Sequence, residues 1–257
     1  MTPIDALVLG IVEGITEFLP ISSTGHLILG SALLGVANSD FAKSFEIIIQ
    51  LGAILAAVVL YFKSFFDLEV LKRLVVAFVP TGIIGLALYH FLKTYLLGNE
   101  AVVLWSLAIG GAVLIAFEYW HKEKPDASDD VRAITYKQAL LIGLFQSIAI
   151  IPGVSRSAAT ILGGLWLGIK RVAIVEFSFL LAVPTMAAAT GLDVVKNLSL
   201  FENTGNFTEL AIGFVVSFIV ALLAIKWLLG YVRKHSFIPF GVYRILLAVL
   251  FFVIVLR

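Results

Sequence analysis

The chain has 257 residues, of which 61% are hydrophobic and 14% charged, and its mean hydropathy is +1.07. Soluble domains are near half apolar, so this excess marks an integral membrane protein. A net charge of +1 and the lack of any cysteine exclude a nucleic-acid surface, a polybasic membrane patch, disulfides and thiolate metal sites.

The N-terminus carries no basic region followed by a small-residue cleavage site, so the first apolar stretch is expected to belong to the mature fold. That stretch, 4–35, is broken at its centre by "EGITEFLPISSTGH" (13–26). Full spans need about 20 apolar residues. Segments 44–62, 74–92 and 101–120 qualify, and 172–195, 210–229 and 237–256 qualify later in the chain. Between the two sets lies the polar linker "HKEKPDASDDVRAITYK" (121–137), read as a solvated cytoplasmic connector. A second broken stretch, 138–169, follows it. Non-helical backbone at membrane depth is tolerated only where protein or water satisfies it, so both broken stretches read as re-entrant helix-turn-helix hairpins.

The two stretches resemble each other. "GIVEGITEFLPISSTGH" (10–26) aligns with "GLFQSIAIIPGVSRSAAT" (143–160), and "FEIIIQLGAILAA" (45–57) with "FSFLLAVPTMAAA" (177–189). Glu13 falls opposite Gln146, Pro20 near Pro152 and Ser22 opposite Ser155. Three spans separate the hairpins, and three is odd, so the copies enter from opposite faces. The expected fold is therefore an all-α integral membrane protein with about six transmembrane helices and two re-entrant hairpins in an inverted repeat. It forms one membrane domain over 1–257, with repeat one at about 1–120, the linker at about 121–137 and repeat two at about 138–257.

Cations give the orientation. One side holds Lys63, Lys72, Arg73, Lys122, Lys124, Arg132, Lys137, Lys170, Arg171, Arg233 and Lys234, while the other holds Lys43, Lys93, Lys196 and Arg257. Eleven against four makes the first side cytoplasmic and turns hairpin one outward.

Glu13 and Glu17, spaced i, i+4, share one helix face. Adjacent carboxylates in low dielectric need a proton or a bridging cation, and Mg²⁺ or Ca²⁺ suits oxygen ligands at that separation. After Pro20, Ser22 or Ser23 would cap a new helix beginning at Thr24 and Gly25, whose free amides favour an anion such as phosphate. Ser23 and His26, at i, i+3, form a candidate nucleophile and base. The second hairpin offers "PGVSRSAAT" (152–160), with Arg156 at its tip. A guanidinium there matches phosphate oxygens, or else pairs with Glu13 or Glu17. Glu46, Gln50 and Glu176 either line the same cavity or pair, and Arg244 in the last span needs a partner or a phosphate. Trp105, Trp120, Trp166 and Trp227 read as interfacial anchors.

Both motifs closely resemble the two signatures of the undecaprenyl-diphosphate phosphatases, the bacitracin-resistance proteins, and "FEIIIQLGAI" and "FGVYRI" look like that family as well. The resemblance implies a bacterial inner-membrane enzyme that removes the terminal phosphate of the C55 isoprenyl diphosphate, with a divalent cation and a site facing the periplasm. It implies that Glu13 and Glu17 belong to the glutamate-rich motif, that Ser23 is the proposed nucleophile and that His26 is an essential histidine. Ser155, Arg156 and Thr160 match the second motif, where the arginine holds the diphosphate; Ser22 and Thr24 join them as expected substrate contacts. Whether Ser23, His26 or water attacks phosphorus stays open, and so does a homodimer. The expected partners are the bilayer and the polyprenyl diphosphate, with no nucleic acid. The rival reading is a transporter or flippase of a polyprenyl phosphate lipid, since inverted broken helices also serve carriers.

Overall fold

The computed structural model describes residues 1–36, 39–96, 98–123, 127–196 and 207–256. Ten α-helices and no strand occur among these residues. In chain order they are α1 (Pro3–Thr16), α2 (Ser23–Leu34), α3 (Asp40–Leu60), α4 (Leu68–Phe91), α5 (Glu100–Trp120), α6 (Tyr136–Ser147), α7 (Arg156–Trp166), α8 (Arg171–Lys196), α9 (Phe207–Val232) and α10 (Ile238–Phe251). Six are long and apolar enough to cross a bilayer: Phe41–Leu60, Leu68–Phe91, Glu100–Trp120, Arg171–Leu192, Phe207–Val232 and Ile238–Leu256. They fall within a few residues of the spans expected from hydropathy. The chain is an all-α, multi-pass membrane protein.

The remaining helices, α1 with α2 and α6 with α7, are 14, 12, 12 and 11 residues long. At 1.5 Å rise per residue none exceeds about 21 Å, short of a bilayer core. Each pair is joined by a turn and packs side by side. Matching contacts bind them to the spans: α1 lies on α9, and α6 on α4. Glycines permit that closeness. Gly10 and Gly14 of α1 face Gly213 and Ser217 of α9, and a Cβ on Gly143 of α6 would overlap the Ala77 carbonyl oxygen of α4. Small residues let membrane helices approach to backbone contact, where van der Waals packing replaces the missing hydrophobic drive. Gly143→Ala is therefore expected to force α6 off α4 and destabilise the protein by about 1–3 kcal/mol. A thermal midpoint in detergent several degrees below wild type would check it.

The loops after α3, α5, α7 and α9 lie together on one face. Arg73 donates to the Ile134 carbonyl at 2.6 Å, Arg132 pairs with Asp67 at 2.6 Å, and Lys170 with Asp129 at 3.4 Å. Arg171 pairs with Glu118 at 3.1 Å and donates to the His235 carbonyl at 3.0 Å. Arg73, Arg132, Lys170 and Arg171 of the richer side thus share one surface. Of the cations counted on either side, Lys124 and Arg257 lie outside the described residues, as do the side chains of Lys93 and Lys196. Arg73, Lys72 and Tyr136 all donate to Glu69.

Candidate active site

Both short-helix turns end in strained backbone. Ser22 (φ 72°, ψ 99°) and Ser155 (φ 74°, ψ 114°) are the only non-glycine residues with positive φ among those described. Such conformations cost on the order of 1–3 kcal/mol and cluster where function demands a particular chain path. Each serine is also an N-cap: Ser22 Oγ accepts from the Gly25 amide at 3.5 Å, and Ser155 Oγ accepts from the Ala158 amide at 3.2 Å. The expected alignment of Ser22 with Ser155 therefore shows up as one local geometry, made twice. Of the two candidates for the first cap, Ser22 takes the role and Ser23 opens α2.

The two turns meet. Arg156 Nη2 lies 3.2 Å from Glu17 Oε1, and Arg156 Nη1 donates to the Ser178 carbonyl at 2.9 Å. The guanidinium also sits 5.7 Å from the centre of the Phe18 ring, and Ser157 Oγ donates to the Phe18 carbonyl at 2.7 Å. Glu17 Oε2 accepts from Ser23 Oγ at 2.6 Å. One carboxylate thus holds a hydroxyl from the first turn and a guanidinium from the second. These groups border a cavity of about 280 Å³ lined by Glu17, Ser22, Ser23, Thr24, Gln50, Ser155, Arg156 and Thr190, with Pro152, Gly153 and Met186 among its apolar walls. The N-termini of α2 and α7 both begin at this cavity, so their free amides and dipoles favour an anion there.

Several expected residues lie elsewhere. Thr160 does not line the cavity; it is fully buried, donates to the Arg156 and Ser157 carbonyls at 3.0 Å, and lies 2.5 Å from Ser178 Oγ. It fastens the first turn of α7 to α8. His26 does not meet Ser23. Its Nδ1 lies 2.7 Å from the Ser22 carbonyl oxygen and its Nε2 lies 2.8 Å from the Tyr243 hydroxyl. A carbonyl can only accept, so Nδ1 carries the proton and the neutral ring accepts from Tyr243 through Nε2. Glu13 is fully buried, and neither of its carboxyl oxygens has a hydrogen-bond partner among the described residues. Of the residues left between two readings, Gln50 lines the cavity and Glu46 lies close enough to Glu13 for their charges to interact.

Among the described residues Arg244 pairs with no carboxylate. It is fully buried and donates to five backbone carbonyls: Ser106 at 2.8 Å, Val154 at 2.9 Å, Gly153 at 3.0 Å, and Leu107 and Pro20 at 3.4 Å. Pro20 lies in the first turn, Gly153 and Val154 in the second, and Ser106 and Leu107 on α5, so one guanidinium with five donors ties both turns to α5. Its plane lies on Gly110, where any side chain would collide with it. The sequence marked Arg244 only as a lone charge, and gave Tyr243 no role; their adjacency to each other in a lipid-spanning helix was the available signal.

A family model described as Bacitracin resistance protein BacA matches residues 6–250. A protein of Sulfurihydrogenibium sp. named undecaprenyl-diphosphatase is 54% identical over 252 residues, spanning 98% of this chain and 99% of its own. One of Aquifex aeolicus with the same name is also 54% identical over 252 residues, spanning 98% of each chain. A third, from Persephonella marina and again so named, is 51% identical over 254 residues, spanning 98% of this chain and 99% of its own. With the family model and these relatives covering nearly the whole chain, the chain belongs to the bacitracin resistance protein BacA family.

Proposed function

We propose that this chain hydrolyses undecaprenyl diphosphate to undecaprenyl phosphate and inorganic phosphate, recycling the carrier lipid for cell-wall synthesis and conferring bacitracin resistance. The relatives' names and the family support the activity. The observation that carries the chemistry is Glu17 bridging Ser23 and Arg156 in a cavity bordered by two helix N-termini.

The diphosphate enters that cavity with its oxygens toward Arg156 and the amides that open α2 and α7, which neutralise charge as it develops on phosphorus. Ser23 Oγ attacks the terminal phosphorus while its proton passes to Glu17 Oε2 at the other end of a 2.6 Å hydrogen bond. The bond from that phosphorus to the bridging oxygen breaks, and its electron pair leaves with the polyprenyl monophosphate. Water then cleaves the phosphoserine, releasing phosphate and returning the proton to Ser23. Before substrate arrives, Arg156 and Glu17 satisfy each other, so the ion-pair and anion-site readings of Arg156 describe two states of one residue.

The donor set fits a hard divalent cation. Glu13 offers two buried oxygens without partners, one turn from Glu17. Among the described residues no three acidic or imidazole groups converge, so a cation there would take its remaining ligands from water and substrate phosphate oxygens. Glu13 and Glu17 would hold it, and it would supply charge neutralisation for the diphosphate. The test is phosphate release from farnesyl or undecaprenyl diphosphate by purified protein in detergent. Release should fall at least tenfold with EDTA and recover with Mg²⁺ or Ca²⁺, whereas Glu13→Gln should fall to the EDTA level and not recover. Protein that binds the lipid and never releases phosphate would favour a carrier.

The polyprenyl tail has a path on the other side of the second turn. Residues Ala149, Pro152, Ser155 and Arg156 face the polar cavity, while Ile148, Ile151, Val154 and Ala158 of the same segment line a separate, almost wholly apolar groove of about 630 Å³. That groove follows α5 from Asn99 to Phe117, between Trp105 and Trp166. Hairpins threaded from opposite leaflets, with the reaction site opening to the periplasm of a bacterial inner membrane, agree with the cation count and with the paired contacts of α1 on α9 and α6 on α4.

A further inference from the structure

His26 and Tyr243 have no place in the proton path drawn above, although their contact joins residues 217 apart in sequence. The pieces form a chain. Tyr243 on α10 gives its hydroxyl to His26 Nε2 at 2.8 Å, and the two rings lie nearly parallel, 7° between planes and 5.5 Å between centroids. On the far side of the imidazole, Nδ1 gives its proton to the Ser22 carbonyl at 2.7 Å. That carbonyl belongs to a strained residue and receives only a long 3.4 Å bond from the His26 amide in addition. Ser22 immediately precedes Ser23, so the direction of its peptide fixes where the Ser23 hydroxyl and the first amides of α2 point.

We infer that Tyr243 is a positioning residue which, by fixing the Nδ1–H form of His26, braces the strained Ser22 peptide and so aims Ser23 and the α2 amides into the cavity. This rests on the diphosphatase reading and adds a role for the imidazole that differs from base or nucleophile. His26 sits outside the groups lining the cavity. Both of its ring nitrogens are engaged by protein. Ser23 already has an acceptor, Glu17 Oε2.

The brace and a proton-transfer role separate in a substitution series. An asparagine amide can reach the Ser22 carbonyl much as Nδ1 does, yet it cannot exchange protons near neutral pH. His26→Asn should therefore keep at least tenfold more kcat than His26→Ala, measured as phosphate release from farnesyl diphosphate. Tyr243→Phe retains ring, stacking and bulk and removes one hydroxyl; its kcat should fall roughly tenfold with KM and thermal midpoint unchanged, and it should have no further effect in the His26→Ala background. Nitrogen-15 spectra of the His26 ring should show the Nδ1–H tautomer in the wild type and a mixture in Tyr243→Phe. Equal inactivity of the asparagine and alanine variants, or wild-type kcat and tautomer in Tyr243→Phe, would overturn the brace. The wild-type assay run alongside reports separately on the diphosphatase reading, because failure there would be failure of the parent protein to release phosphate.

Discussion

Glu17→Gln should lower kcat for phosphate release by about 10²–10⁴-fold, the usual contribution of a positioned general base. Glutamine keeps the shape and an oxygen for the Ser23 hydroxyl, so the cavity survives; what vanishes is the capacity to take a proton and to share a cation with Glu13. The substitution also strips Arg156 of the carboxylate it pairs with among the described residues. The guanidinium would retain the Ser178 and Glu17-position carbonyls, at 2.9 Å and 3.5 Å. Removing one member of a buried pair typically costs about 3–5 kcal/mol, and these carbonyls should hold the loss near the lower end. Kinetics and a thermal midpoint on the same detergent preparation separate the two effects. A protein that stays folded and loses turnover places Glu17 in the reaction, and turnover that added Mg²⁺ does not restore assigns it to the proton path. One that unfolds would require the same measurement with added diphosphate, which should restore the fold by supplying Arg156 with an anion.

Ser23→Ala should remove turnover by roughly 10³-fold or more, since an activated hydroxyl that forms the covalent bond has no substitute in its place. Its structural cost is small. Ser23 is not the cap of α2, and its hydroxyl makes one hydrogen bond, to a carboxylate that Arg156 continues to hold. Binding of the diphosphate should persist, because the charge complement of the cavity does not change. Loss of kcat with retained affinity is the signature of a group that acts only on the way to the transition state. Near-normal turnover in Ser23→Ala would move the attack to water or to His26, and would require His26 to leave both Ser22 and Tyr243.

The sequence and the structure agree where the physics is local. Apolar runs of about 20 residues announce spans because lipid tolerates little else, and all six emerge at their expected positions. Pro20 and the Pro152–Gly153 pair announce the broken stretches, because they cannot continue a helix without freeing backbone groups. The meeting of Arg156 with Glu17 also followed from a simple requirement, that a charge at membrane depth must find its opposite.

What escaped sequence reading depends on long-range partners. The spacing of Ser23 and His26 permits a hydrogen bond, but two nearer opportunities prevail, Glu17 for the hydroxyl and Ser22 with Tyr243 for the ring. Tyr243 stands 217 residues from His26, and no periodicity foretells that contact. Positive φ at Ser22 and Ser155 is likewise silent in the sequence, since serine rarely adopts it and glycine would have been the legible choice. Arg244 was readable as a charge in need of a partner; that the partner would be five carbonyls follows only once both turns are seen to end beside it. Thr160, placed by its motif among substrate contacts, spends its hydroxyl on α7 and α8 instead.

The most direct measurement is the distance from the terminal phosphorus of a bound non-hydrolysable prenyl diphosphate analogue to Ser23 Oγ and to His26 Nε2. With both turns enclosing the head group, phosphorus should sit about 3–3.5 Å from Ser23 Oγ, in line for attack and within hydrogen-bonding range of Arg156 through its oxygens. A phosphorus seated against Tyr243 and His26, with Arg156 still closed on Glu17, would contradict it.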